Sequence, residues 1–488
     1  MDSAQIHQQV NGVKQFPAAT VPVFINGSEV ILPETFDVIN PTTGSVTSQC
    51  SNASTSTASA AIKAATDALP TWSETNIETR RDILIRAAAI LDERAEELKD
   101  YMKSEVGADE AWSSLNVALA RDCLLGTASR IGTLEGRIPA LRDTTVGGMI
   151  IREPYGVIFA MAPWNAPYAL GFRAVVGPIA CGNTVVFKGS ELSPRCLFAI
   201  VSILHEAGVP PGVLNYISCS AANAPDVTGG IIASPSIRKI NFTGSTAVGR
   251  IIAKMAGEHL KPLLLELGGK APAIICDDAD LDLAAQQCVL GSFLNAGQIC
   301  MSTERILVHK SIREAFETKI AEAAASMFPT NQKSPVLITE HAARRNKALV
   351  QDATSKGAKL VYGNIDEAQD VPTALRPAIV ADVRADMDMY LAESFGPTVS
   401  MIEFETDEEA LRLANDGEYG LSSAVFSRDL RRALRIAKRI ETGAVHINRM
   451  TVQDESGLPH GGAKSSGFGR FNAGFDEWTR LKNITYDL

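Results

Sequence analysis

Val157-Ile158-Phe159-Ala160-Met161-Ala162, followed by Pro163-Trp164-Asn165 and then by Ala169–Ala180, decides how the chain folds. Six consecutive apolar residues without alternation read as a strand buried on both faces, and the Ala-rich stretch after them reads as a helix. The rhythm repeats downstream in strand Thr184–Lys188, helix Pro194–Ala207, strands Val213–Ile217 and Ile237–Phe242, and helix Thr246–Ala256. Alternation of this kind predicts an α/β fold built on a doubly wound parallel sheet. Ligands of such sheets bind beyond the carboxyl ends of the strands, where Trp164-Asn165 and Thr243-Gly244 fall.

Working outward, a second α/β series runs from Leu263 to about Ile447. It has strands Leu263–Leu267, Ala271–Ile275 and Ile306–His309, with helices Leu281–Asn295, Ile312–Met327 and Glu408–Asn415. The two series predict two domains with a cleft between them. On the amino-terminal side, Pro17, Pro22, Pro33 and Pro41 punctuate strand-like Val21–Ile25 and Val38–Asn40. Helices are expected over Ser54–Leu69, Ile77–Ser104 and Ala108–Leu125, the second because Ile83, Ala87, Ile90, Leu91 and Leu98 keep helical spacing. Gly136–Glu153 reads as a projecting hairpin turning at Arg142-Asp143-Thr144. Ile484–Tyr486 reads as a lone strand with nothing local to pair with.

The 488 residues are 45% hydrophobic and 21% charged, an ordinary balance for a globular protein and too apolar for disorder. A net charge of −10 without any Lys/Arg run argues against nucleic acid as a partner. No apolar run approaches the length of a membrane span, and the polar Met1–His7 start lacks a signal-peptide pattern. The eight cysteines contain no Cys-x-x-Cys pair, which fits a reducing compartment, so the cytosol is expected. No two of the seven histidines stand three or four residues apart, and no metal is predicted.

Chemistry concentrates at Cys300, in Gly297-Gln298-Ile299-Cys300, and at Glu266, in Leu265-Glu266-Leu267-Gly268-Gly269-Lys270. A lone cysteine is ordinarily a small buried hydrophobe. This one sits in a small-residue turn whose following N–H groups would lower the thiol pKa and favour the thiolate. Glu266 is either a surface acid or, among Leu263, Leu264, Leu265 and Leu267, a buried base. A thiol and a carboxylate so placed suit covalent catalysis on a carbonyl carbon. Asn165 either caps the following helix or donates its amide to a developing oxyanion. Gly244-Ser245 opens a helix able to receive a phosphate. Lys188 and Glu191 are either a solvated ion pair or ligands of a nucleotide ribose.

Seven motifs in order resemble the aldehyde dehydrogenase superfamily over nearly the whole chain. They are Pro163-Trp164-Asn165, Phe187-Lys188-Gly189-Ser190-Glu191, Phe242-Thr243-Gly244-Ser245, Glu266-Leu267-Gly268-Gly269-Lys270, Gly297-Gln298-Ile299-Cys300, Glu393-Ser394-Phe395-Gly396-Pro397 and Gly461-Gly462-Ala463-Lys464-Ser465-Ser466-Gly467. The resemblance implies a Cys300 nucleophile, a Glu266 base for the hydrolytic water, and an oxyanion site of Asn165 with the Cys300 N–H. It implies a dinucleotide held by Lys188 and Glu191 at the adenosine ribose and by Gly244 and Ser245 at the pyrophosphate. Trp164 belongs to the same site, and Glu393 and Phe395 would hold the nicotinamide ribose and ring. It further implies a cofactor domain (1–135 and 154–260), a catalytic domain (261–455) and a β element (136–153 and 470–488) that bridges subunits. Ala392 departs from the family where a second acid is frequent, Ala224 where a glycine is, and His460 where an aromatic residue is usual near the substrate mouth.

A closer resemblance is to the benzaldehyde, vanillin and salicylaldehyde dehydrogenases. His446-Ile447-Asn448, Val452-Gln453-Asp454-Glu455 and Gly467-Phe468-Gly469-Arg470-Phe471 carry it. Trp112 and Arg173 match substrate-lining positions of that branch, against readings of plain core and a structural ion pair. The expectation is oxidation of an aromatic aldehyde to its acid through a Cys300 thioester. NAD is preferred over NADP, because Glu191 would repel a ribose phosphate, and the assembly is a homodimer or homotetramer. The rivals are an aliphatic or semialdehyde dehydrogenase, and a catalytically silent binding or structural relative.

Overall fold

The computed structural model describes residues 20–329, 332–367 and 369–488, and two large sheets form its body. The first has the strand order Gly467–Phe468, Leu263–Glu266, Ile237–Thr243, Val157–Ala162, Thr184–Gly189, Leu214–Ile217, Val23–Ile25 and Ser28–Val30. Its five central strands are parallel, and antiparallel strands close both edges. Every residue of Val157–Ala162 is buried, which is why its sequence does not alternate. From that strand the chain winds outward to Leu214–Ile217 and then returns on the other side as Ile237–Thr243. The switch in winding direction therefore lies between Val157–Ala162 and Ile237–Thr243. The crevice at their carboxyl ends is flanked by Trp164-Asn165 and Gly244-Ser245.

The second sheet runs Lys359–Tyr362, Ala378–Ala381, Thr398–Phe404, Thr303–His309, Ala271–Ile275, Ala424–Phe426 and His446–Ile447, parallel except at its first strand. Helices Leu281–Phe293 and Arg313–Met327 pack on it around Val289, Phe293, Phe316 and Ile320.

Several expectations are corrected. Leu263–Glu266 hydrogen-bonds to Ile237–Thr243 and so belongs to the first sheet, not the second series. Ile77–Ser104 is two helices, Ile77–Glu93 and Ala95–Val106, broken at Arg94, whose backbone leaves helical geometry while its guanidinium binds Glu97 and Ser202. The hairpin expected over Gly136–Glu153 contains one long strand, Val146–Pro154, with a single bridge from Arg137 to Ile150. The partner of that strand is the carboxyl-terminal strand Thr479–Asp487, so the end of the chain pairs within its own chain. Pro17 and the Met1–His7 segment lie outside the described residues. Among the described residues no helix is long and apolar enough to cross a membrane.

Candidate active site

A cavity of about 520 Å³ opens at the switch point of the first sheet and reaches across to the second. Trp164, Asn165, Gly244, Ser245, Glu266, Cys300, Glu393 and Phe395 all line it, although they come from five separate stretches of chain. Lys188 and Glu191 do not line it. Lys188 is in the neighbouring strand, paired with Met161, and Glu191 follows that strand's end, where Gly189 pairs with Ala162.

Cys300 is carried by a strained turn. Helix Leu281–Phe293 ends, and Asn295, Ala296 and Gly297 follow with φ of 49°, 56° and 71°. Left-handed geometry at two non-glycine residues is held only when the surroundings over-determine it. Here Gln298 does so: its amide donates to the Asn295 carbonyl at 3.1 Å, and its Oε1 accepts from the Ile338 N–H at 2.8 Å. Gly297 is obligatory, since a Cβ would stand 2.2 Å from the Gly396 carbonyl. The thiol is not lowered as expected. Burial first, and then the Glu266 carboxylate, push Cys300 well above the usual thiol range.

Asn165 is not a helix cap. Ala166 occupies the cap position of helix Pro167–Ala180 without a side-chain bond. The Asn165 Nδ2 instead donates to the Gln298 carbonyl at 3.0 Å, two residues before Cys300. An amide nitrogen carries two protons, so one remains for an oxyanion formed at Cys300. Trp112 is buried, and its indole N–H donates to the Asn165 carbonyl at 2.8 Å, bracing the loop from behind rather than facing the cavity.

Glu266 ends its strand with 1% of its surface exposed, and neither carboxylate oxygen has a hydrogen-bond partner. The paired glycines after it allow close approach. A Cβ on Gly269 would meet the Cys300 carbonyl at 2.2 Å, and one on Gly268 would meet Glu393 Oε2 at 2.4 Å. Gly269 N–H donates to Glu393 Oε1 at 2.8 Å. Burial, then the Glu304 charge, push Glu393 up to about 8. Phe395 stands edge-on to Trp164 with ring centroids 5.9 Å apart.

The sequence reading missed the groups behind these walls. Lys270 and Glu304 form a buried ion pair at 2.7 Å, and Glu304 accepts from the N–H groups of Ser394 and Phe395. Glu304-Arg305 is a charged pair inside the otherwise apolar Thr303–His309, a signal available before the fold was known. Asp454 was missed too. It binds the Arg173 guanidinium, which also lies 5.6 Å over the Phe471 ring. His460 bridges the two clusters, its Nε2 3.9 Å from Glu266 and its Nδ1 3.8 Å from Asp454.

The site can accommodate a dinucleotide. The amino terminus of helix Thr246–Glu258 lines the cavity, Ser245 caps it through the Val248 N–H, and Glu393 offers a carboxylate to the same cavity. That donor set suits a pyrophosphate at one end and ribose hydroxyls at the other.

A family model described as the aldehyde dehydrogenase family matches residues 29–484. A vanillin dehydrogenase from Pseudomonas sp. strain HR199 is 43% identical over 475 residues, covering 95% of this chain and 97% of its own. A salicylaldehyde dehydrogenase from Pseudomonas sp. strain C18 is 41% identical, covering 93% and 95%. The crystal structure of a salicylaldehyde dehydrogenase from Pseudomonas putida G7, complexed with salicylaldehyde, superposes with a TM-score of 0.92 at 38% identity, covering 96% of this chain and 98% of that one.

Proposed function

The chain belongs to the aldehyde dehydrogenase family, and from that premise we propose that it oxidises a hydroxylated aromatic aldehyde of benzaldehyde size, using Cys300, Glu266 and Asn165. The observation that carries the reaction is the convergence of these three on one cavity that Gly244, Ser245, Glu393 and Phe395 also line. The Cys300 thiol passes its proton to the facing Glu266 carboxylate as the sulfur adds to the aldehyde carbon, and the spare Asn165 N–H and the Cys300 backbone N–H receive the oxyanion. A nicotinamide bound against Phe395 and Glu393 supplies the hydride acceptor. The acyl group is left as a thioester on Cys300. Glu266, unpartnered and beside the thiol, takes a proton from the water that releases the acid.

NAD is proposed over NADP because Glu191 follows the strand paired with Val157–Ala162, where a carboxylate binds ribose hydroxyls and repels a phosphate. Domains are proposed at 1–135 with 154–266 for the cofactor, the boundary moving past 260 because Leu263–Glu266 pairs with the first sheet, 267–455 for catalysis, and 136–153 with 470–488 for bridging copies in a homodimer or homotetramer.

The aromatic preference is supported by Arg173. One side of its guanidinium binds Asp454, while Nη1 is buried with no acceptor. A substrate ring hydroxyl or phenolate supplies one, worth about 1.5–3 kcal/mol, or roughly 10- to 150-fold. The relatives named for vanillin and salicylaldehyde point the same way. The test compares kcat/KM for salicylaldehyde, vanillin, benzaldehyde, hexanal and succinic semialdehyde with each dinucleotide. Hydroxybenzaldehydes with NAD are expected to lead, and Arg173→Met to erase their advantage over benzaldehyde. An aliphatic aldehyde in first place would sink the substrate reading, and equal values with NADP would remove Glu191 from discrimination.

A further inference from the structure

We propose that His460 is a proton relay that returns Glu266 to its basic form in each turnover; the inference rests on the reading of Glu266 as the hydrolytic base. Every turnover leaves a proton on the Glu266 carboxyl. That carboxyl is 1% exposed and has no hydrogen-bond partner on either oxygen. His460 Nε2, 3.9 Å from Glu266 Oε1, is itself buried and unpartnered. The main chain of His460 is fixed by two bonds to Phe471, from His460 N–H at 2.9 Å and to the His460 carbonyl at 2.8 Å. Its ring makes no hydrogen bond, and apo catalytic contacts of this length tighten in the working complex.

The ring separates Glu266 from a second cavity of about 120 Å³, which His446, Arg449, Asp454, Glu455 and Leu458 also line. The titratable and charged groups around the relay are thus Glu266 on one side, Asp454 with Arg173 behind it on the other, and Arg449, Glu455 and His446, which burial and then Arg449 push down, around the small cavity; the Cys300 thiol lies beyond Glu266. Burial works against ionised Asp454, yet the Arg173 and His460 charges hold it below the usual carboxylate range. It therefore stays anionic beside the ring, on the side where the proton leaves. The proton passes from Glu266 Oε1 to His460 Nε2, and the proton on Nδ1 leaves to water in the small cavity. At Glu266 an O–H bond is exchanged for an N–H bond, at the small cavity an N–H bond for an O–H bond of water, and no electrons move; rotation of the ring or exchange with that water restores the Nδ1–H form before the next proton arrives.

The relay clears the thiol's proton from Glu266 before water attacks the thioester, a step that hydride transfer does not await, so it separates two rates. In His460→Phe, which keeps the bulk, and His460→Gln, which keeps a polar group, single-turnover formation of reduced nicotinamide with salicylaldehyde is expected to match the wild type. Steady-state kcat near neutral pH should fall on the order of 10- to 100-fold and recover as pH rises and hydroxide takes over the proton. Added imidazole should restore kcat in His460→Ala. Parallel loss of both rates, a pH profile identical to wild type, or no rescue by imidazole would overturn the relay. A wild-type enzyme that reduces no dinucleotide in a single turnover would overturn the dehydrogenase reading instead.

Discussion

Cys300 shows how one residue is governed by its neighbours rather than by its turn. Small residues before it and backbone N–H groups after it favour a thiolate, but burial and the facing Glu266 charge outweigh them and keep the thiol protonated. The sign gives a prediction. Alkylation of Cys300 by iodoacetamide in the free enzyme, followed by peptide mass spectrometry, is expected to accelerate continuously between about pH 7 and about pH 10. Glu266→Gln removes the repelling charge at constant shape, so it should be alkylated faster than wild type across the lower part of that range. A plateau below about pH 8, or an unchanged rate in the variant, would show that Glu266 does not control the thiol.

At the scale of elements, the active-site loops are set by a buried ion pair that touches none of the reacting groups. Glu304 leaves its strand with Lys270 at 2.7 Å and receives the Ser394 and Phe395 N–H groups, fixing Phe395 at a left-handed φ of 44°. Breaking such a pair from one side leaves an uncompensated charge at a cost of about 3–5 kcal/mol, whereas an apolar replacement of both partners is close to neutral. Glu304→Gln should therefore lower the urea unfolding midpoint and raise KM for the dinucleotide. Lys270→Met combined with Glu304→Leu should recover much of the stability but not KM, because the loop N–H groups still lack their acceptor. A double variant no more stable than the single one would contradict this account. The glycines of Gly268-Gly269 act at the same scale: they are legible in sequence as a turn, yet their use is to let two loops touch.

For the whole molecule, the two-stranded ribbon of Val146–Pro154 and Thr479–Asp487 is the feature least supported by its own chain. It exposes Leu481, Ile484, Tyr486 and Leu488, and both long edges leave backbone groups unpaired. Proteins ordinarily cover such edges, and a second copy is the simplest cover. Light scattering at micromolar concentration is expected to give a dimer or tetramer, and removal of residues 480–488 a smaller species. A wild-type monomer would exclude the proposed assembly.

The doubly wound sheet was legible because burial on both faces writes an unbroken apolar run into Val157–Ala162, a local property of sequence. The catalytic cavity was legible in part, since motifs at the ends of such strands have one place to go. What tertiary structure alone decided depends on pairing between distant segments. Local periodicity does not say which sheet receives Leu263–Glu266, or that Thr479–Asp487 finds Val146–Pro154. Nor does it place Arg173, Asp454, His460 and Glu266 in one buried line, because that line joins a helix, two loops and a strand end far apart in the chain. Electrostatics acts through space, and the environment of each charge exists only once the chain has closed around it.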